Sequence, residues 1–281
     1  MKLNNHKLNH EGYALISDLQ SKDWSEIFVH LKEEQDNFLN TESSFRSEEY
    51  RWPRDALNNW SRIWEYPFAY HNLEKLRKNC EEGRSLKVAD VGSGVTFFPF
   101  SVARLGYDVT CLDIDPICET DINKAVLVNS TGIGSVNVKL IKNRVIPLES
   151  ESQDAVYCVS VLEHIPDFST EIDEISRVLR KNGQFILTID VDLKGNMEIG
   201  IEAFHMLQMY LAKHFEPAAP SRITHPADFL TTMTSPIKLP DSSAYAAAKR
   251  AIKSILNNSI WTENVSVSNH LAVFATVLKK I

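Results

Sequence analysis

An apolar run from Leu86 to Val91 leads into Gly92-Ser93-Gly94, and a helical stretch follows from Phe98. Glycine at such a turn accepts left-handed backbone angles and lets bare main chain approach a ligand that a Cβ would repel. Asp90 stands just before the bend. Asp113 ends the next apolar run, at the spacing of about 20 residues where an acid meets ribose hydroxyls. In parallel α/β sheets, ligands bind at the carboxyl ends of the strands, where the strand order reverses. Two ligand classes fit a glycine bend with a distant acid. Dinucleotide sites use a third glycine so that a helix can come close to the pyrophosphate. Phe97 occupies that third place here, flanked by Thr96 and Phe98. A pyrophosphate would be crowded, whereas an adenosyl ligand without phosphates needs no such approach. S-adenosylmethionine is therefore the expected cofactor, and an NAD-dependent oxidoreductase is the disfavoured reading.

The elements that must position these residues follow from periodicity. Residues 1–84 are polar, punctuated by aromatics and mostly helical in period, with an amphipathic helix from Trp24 toward Phe38 and Leu39. Pro53 and Pro67 are expected to break helical continuity there. From Ser85, strands and helices alternate: strands over 86–91, 108–112, 136–141, 155–159 and 184–189, with a helix over 98–105 closed by Gly106 and another opened by Pro116. Ile172, Ile175, Val178 and Leu179 form one helical stripe with its stop expected at Gly183. Such alternation predicts an α/β fold, a parallel sheet covered by helices on both faces. Residues 199–215 read as a helix, 216–242 as a proline-rich loop, 245–256 as another helix and 271–278 as a last strand.

Four segments carry a family resemblance. Val88-Ala89-Asp90-Val91-Gly92-Ser93-Gly94 resembles the first motif of class I S-adenosylmethionine-dependent methyltransferases, and Leu112-Asp113-Ile114-Asp115-Pro116 their second, acidic motif. The segment from Asp154 to Ile165, containing Val161-Leu162-Glu163-His164, resembles the fourth-strand region of the small-molecule methyltransferase group. Val178 to Gln184 looks like the turn into their fifth strand. Together these segments cover residues 85 to about 192 in the family's order. The resemblance implies a doubly wound, mostly parallel seven-stranded sheet over 85–281, with an N-terminal helical extension over 1–84 and a substrate-cover insertion at about 194–265. It implies that Gly92, Ser93 and Gly94 line the methionine moiety and that Asp90 lies near its ammonium. Asp113 would hold the ribose with Ile114 beside it, and Asp115 could share or replace that role. Asn143 stands where the family often has an aspartate facing the adenine amino group, and its carbonyl can accept that bond. Gln153, where an aromatic residue is usual, is a second departure.

Methyl transfer from a sulfonium is an in-line displacement, helped most by alignment and desolvation. A hydroxyl acceptor also needs a base, and His164, with an ordinary pKa near ~6.5, is the candidate. Tyr66 is the expected lid residue over the cofactor, chosen from Trp60, Trp64, Tyr66 and Phe68; the others suit core packing. His205 and Tyr210 fall in the cover segment and are expected on the substrate side. Arg51, Arg54 and Arg62 could meet an anionic acceptor or simply be surface charge. Glu163, Asp190 and Asp192 lack a distinctive metal spacing, so no metal is assigned.

The expected activity is methylation of a small molecule, at oxygen, with a secondary metabolite or glycan as the guessed acceptor class. A formal charge of -7 argues against a general affinity for nucleic acid, and the Asn/Asp-Pro-Pro-aromatic loop of base-amine methyltransferases is missing after the fourth strand. A cofactor-binding scaffold without catalysis, acting through a protein partner, is the rival reading from another class. Cys80, Cys111, Cys118 and Cys158 form no CxxC pair and read as reduced thiols. With no signal-peptide pattern and no apolar stretch of spanning length, the expectation is a cytoplasmic monomer or homodimer without membrane contact.

Overall fold

A computed structural model describes residues 6–81, 83–195, 199–237 and 270–281 of the chain. In chain order the elements are β1 (Gly12–Tyr13), α1 (Lys22–Asn40), α2 (Arg62–Lys78), β2 (Leu86–Val91), α3 (Phe98–Arg104), β3 (Tyr107–Asp113) and α4 (Pro116–Val128). They continue with β4 (Ser135–Leu140), β5 (Gln153–Val159), α5 (Ser169–Val178), β6 (Leu179–Asp192), β7 (Ile199–Gly200), α6 (Ile201–His214), β8 (Phe215–Pro217) and β9 (Leu271–Lys280).

The sheet runs β1-β9-β6-β5-β2-β3-β4, with β7 on β6 and β8 on β9. Strands β4, β3, β2, β5 and β6 are mutually parallel, and β9 is antiparallel to β6. This is the expected doubly wound α/β architecture. Strand β5 is buried at every position, as a strand covered on both faces must be, so it reads as an apolar run without alternation. The order reverses at β2, which has β3 on one side and β5 on the other. The crevice at the carboxyl ends of these three strands is therefore the ligand position that topology dictates.

Residues of the N-terminal segment do not stand apart from the sheet. Leu31, Phe38, Trp60, Trp64 and Phe68 share one hydrophobic cluster with Val88, Tyr157 and Ile186. The two residues of β1 pair with β9, a strand in a region whose period reads as helical; so short an element leaves no pattern in sequence. Asp18, fully buried, accepts from Trp64 Nε1 at 3.0 Å and takes both arms of Arg222 at 2.9 Å, tying the segment to the chain beyond α6.

Two expected boundaries are corrected. Pro67 lies inside α2 rather than ending it. A proline has no N–H for the carbonyl four residues back, here that of Ile63, and the Trp24 indole of α1 donates to that oxygen at 2.8 Å. The orphaned acceptor thus becomes an inter-helix contact. The second correction concerns Gly183: α5 stops at Val178, Leu179 already begins β6, and Asn182 rather than the glycine takes the left-handed conformation, at φ 63°. The helix expected over 245–256 lies outside the described residues. Cys111, Cys118 and Cys158 are buried free thiols and Cys80 is half-buried. Among the described residues no helix is long and apolar enough to cross a membrane.

Replacing Trp24 with Phe removes the donor to the Ile63 carbonyl, and a stability loss of about 1–3 kcal/mol is expected in urea unfolding. In a Pro67→Ala background the restored N–H serves that carbonyl, so the same Trp24→Phe change should cost measurably less.

Candidate functional site

The bend after β2 is built from left-handed glycines, Gly92 at φ 74° and Gly94 at φ 53°. A Cβ on Gly92 would collide with the Val161 side chain, so glycine is required on conformational and steric grounds alike. The bend is pinned from β3: Gly92 N donates to Leu112 O at 2.8 Å and Gly94 N to Asp113 Oδ2 at 2.9 Å. The other Asp113 oxygen accepts from Ile114 N at 2.8 Å and Asp115 N at 3.0 Å. Burial raises the Asp113 pKa despite these backbone donors. Asp115 is committed elsewhere, capping α4 through Ile117 N at 2.9 Å. On the other side, the Tyr50 hydroxyl accepts from Val95 N at 3.0 Å and Arg46 Nη1 donates to Val95 O at 2.9 Å.

These groups open onto a cavity of about 660 Å³, within the range of small-molecule sites. Asp90, Gly92, Ser93, Gly94, Asp113, Ile114, Asn143, Tyr66 and His164 all line it. Among the described residues, His205 and Tyr210 do not: α6 turns Phe204, Leu207 and Leu211 inward, which leaves His205 exposed and sets Tyr210 edge-on to Phe168, with Lys213 over its ring. The expectation that these two face the substrate is thereby corrected. Of the four N-terminal aromatics, Tyr66 alone reaches the cavity, while Trp60, Trp64 and Phe68 are core. Asn143 and Arg144 are exposed on a left-handed turn after β4, at φ 53° and 61°.

Buried acids lie in and behind the cavity wall. Asp90 forms no ion pair among the described residues, and burial raises its pKa to about 8, opposed by the neighbouring Tyr157 hydroxyl and reinforced by Asp113. A buried carboxyl without a cation is a ready partner for an ammonium group. Past β5, Ser160 adopts φ 49° and donates to Glu65 Oε1 at 2.7 Å; Glu65 is fully buried and also paired with Arg62. Glu163 is raised by burial, with the adjacent His164 opposing, and its Oε1 accepts from Asp190 N at 3.2 Å. Asp192 spends Oδ1 on the N–H groups of Lys194 and Gly195. Among the described residues no cluster of three or more His, Cys, Asp or Glu is arranged to hold a metal.

Tyr50, Trp52, Pro53, Ala56 and Asn59 form a cavity wall not anticipated from sequence, next to Arg62, which the sequence offered as a contact for an anionic acceptor. An aromatic and proline run within an otherwise polar segment was the available signal.

Residues 89–187 match the family described as "Methyltransferase domain". The chain's relatives include a ubiquinone biosynthesis O-methyltransferase of Cupriavidus pinatubonensis, 30% identical over 146 residues, or 50% of this chain and 57% of that protein. A Pseudomonas aeruginosa protein of the same name is 28% identical over 173 residues, 59% of this chain and 70% of its own length. The chain thus spans just over half the length of the first of these relatives. In fold, the chain resembles the [4+2]-cyclase SpnF, with TM-score 0.53 and 16% identity over 89% of this chain and 94% of that one. A geranyl diphosphate methyltransferase complexed with GPP and sinefungin gives TM-score 0.50 at 13% identity, over 90% of this chain and 100% of that one.

Asp90 has a raised folded value, so the folded chain holds a proton that the unfolded chain releases above the ordinary carboxylate value of 3.8. This group's contribution is therefore fully present below pH 3.8 and is lost as pH rises toward about 8. Asp90→Asn should gain stability relative to the unliganded wild type between pH 5 and pH 8 in urea titrations; a constant difference would contradict the buried protonated acid.

Proposed function

We propose that the chain transfers a methyl group from S-adenosylmethionine to a hydroxyl oxygen of a small-molecule acceptor. The observation that carries this reading is the Gly92–Gly94 bend pinned to Asp113, with the cation-free carboxyl of Asp90 beside it, at the reversal point of the sheet. The fit to the cofactor is chemical: an amino-acid ammonium for Asp90, bare backbone for the methionyl chain, and the lone pairs Asp113 has left for ribose hydroxyls. The names of the ubiquinone biosynthesis O-methyltransferases support oxygen as the acceptor atom. They do not point to the secondary-metabolite or glycan classes guessed from the cover segment.

When bound, the cofactor supplies an electrophilic methyl group on a sulfonium. The residues of this chain do the rest. Gly92, Ser93 and Gly94 would bring the main chain close, Asp113 and Ile114 would hold the ribose, and Asn143 would face the adenine end. Tyr66 covers the site and helps exclude water. Trp52, Ala56 and Asn59 give the acceptor a wall of mixed character, taking the role first expected of His205 and Tyr210. His164, on the turn after β5 and half-exposed to the cavity, takes the proton that the acceptor hydroxyl must lose.

Calorimetry tests the cofactor assignment. Wild-type protein should bind S-adenosylmethionine and S-adenosylhomocysteine, and Asp113→Ala should weaken both by tenfold or more, about the effect of losing hydrogen bonds to a charged group. Absence of heat for both ligands with folded wild type would overturn the reading. Turnover is a separate question, because a scaffold could bind without reacting. With methyl-labelled donor and a panel of phenolic acceptors, His164→Ala should retain cofactor binding and lose about 10²–10⁴-fold in rate. Full activity in that variant would remove His164 as the base.

A further inference from the structure

Successive residues of the turn after β5 are held from outside the turn. Ser160 N donates to Thr188 O of β6 at 3.0 Å, and its hydroxyl donates to Glu65 Oε1 of α2 at 2.7 Å. The Val161 side chain fills the space over Gly92 that a Cβ there would need. Leu162 is buried in the core, and Glu163 Oε1 accepts from Asp190 N at 3.2 Å. His164 comes next, half-exposed on the cavity, with its N–H donating to Val161 O at 3.0 Å.

The course of this turn is set at Ser160, whose φ is 49°. A serine adopts left-handed backbone at a cost, and such a residue persists where its surroundings over-determine it. The torsion φ is rotation about the N–Cα bond. At Ser160 the amide is tied to β6 and the Cβ substituent to α2, one on each side of that bond. The two hydrogen bonds together therefore fix φ. If Ser160 relaxed to extended backbone, the chain would leave β5 on another course, taking Val161 off the glycine bend and His164 off the cavity. Glu65 suits the task because it is itself fixed: it is fully buried, and Arg62 Nη1 donates to its other oxygen. It stands 95 residues before Ser160, outside the segment matched to the methyltransferase family.

We propose that Glu65 is a positioning residue for methyl transfer: it holds Ser160 left-handed, and through Ser160 it sets Val161 over the glycine bend and His164 on the cavity. This rests on the reading of the site above, with His164 as the base. It gives the N-terminal segment a part in the chemistry, because a helix of that segment orients the group that takes the acceptor's proton. It also accounts for a carboxylate buried behind the cavity wall, where it can touch no ligand.

The test follows His164 directly, by NMR of ring-labelled histidine, its signals being identified by their loss in His164→Ala. In protein saturated with S-adenosylhomocysteine, Ser160→Ala should displace those signals. Ser160→Gly should displace them less, because glycine accepts the left-handed angle without an anchor. Glu65→Met should act as Ser160→Ala does, and the two together should add little, as for residues working as one unit. Glu65→Gln keeps an oxygen that accepts the hydroxyl and should restore most of the wild-type position. With methyl-labelled donor and the phenolic panel, kcat of Ser160→Ala should fall by about tenfold to 10²-fold, the effect of a misplaced catalytic group. KM for S-adenosylmethionine should change by less than about threefold, a split that loss of stability alone would not produce. Should Glu65→Met fail to fold by circular dichroism, the two Ser160 variants and Glu65→Gln decide the matter. Unmoved His164 signals in folded Ser160→Ala, equal displacement by alanine and glycine, or full additivity of Glu65→Met with Ser160→Ala overturns the positioning role. Any of these in protein that binds S-adenosylhomocysteine normally removes that role alone. A wild type that binds neither nucleoside overturns the methyl-donor reading and the positioning role with it.

Discussion

The contact between the Asp113 carboxylate and the Gly94 amide joins two adjacent parallel strands at the rim where ligands meet such sheets. Without it the Gly92–Gly94 segment, free to adopt many backbone states, would have no reason to stay in one. Asp113 also holds the amides of Ile114 and Asp115, so a single carboxylate orders both the first bend and the start of the next loop. Tyr50 and Arg46 clamp the far side of the bend through Val95. The loop is preorganised from two directions by side chains distant in sequence.

The N-terminal segment supplies more than a cover. Its aromatic residues join the core of the sheet, and α2 packs against β5 and β6. Tyr66 and Arg62 reach the cavity edge as a consequence, with Glu65 buried behind them. The buried pair of Asp18 with Arg222, and the Trp24 indole on the carbonyl freed by Pro67, keep this helix in register with its neighbours. Buried polar contacts of this kind are costly when broken, so they specify one arrangement more than they add net stability.

Acidic residues gather where the parallel strands end, and burial shifts their pKa values upward. Asp90, Asp113 and Glu163 are all raised. A site of this kind is uncomfortable when empty and receptive to positive charge, which suits a ligand carrying an ammonium and a sulfonium. Raised carboxyl values in a crevice are a common mark of functional sites.

The sequence by itself determined the parallel core from β2 to β6, because strands buried on both faces must be apolar runs and the intervening helices must be amphipathic. It determined the bend at Gly92–Gly94 too, since few residues other than glycine tolerate that backbone. What lay beyond it were contacts without local periodicity: the two-residue strand β1, the continuation of α2 through Pro67, the turn at Asn182, and the wall from Tyr50 to Asn59. Each depends on a partner far along the chain, as Ile63 depends on Trp24 and Glu65 on Ser160. His205 and Tyr210 show the reverse case. Their residue types suited a substrate cover, but the inward stripe of Phe204, Leu207 and Leu211 fixed the helix face, and only packing against the sheet could decide which way they pointed.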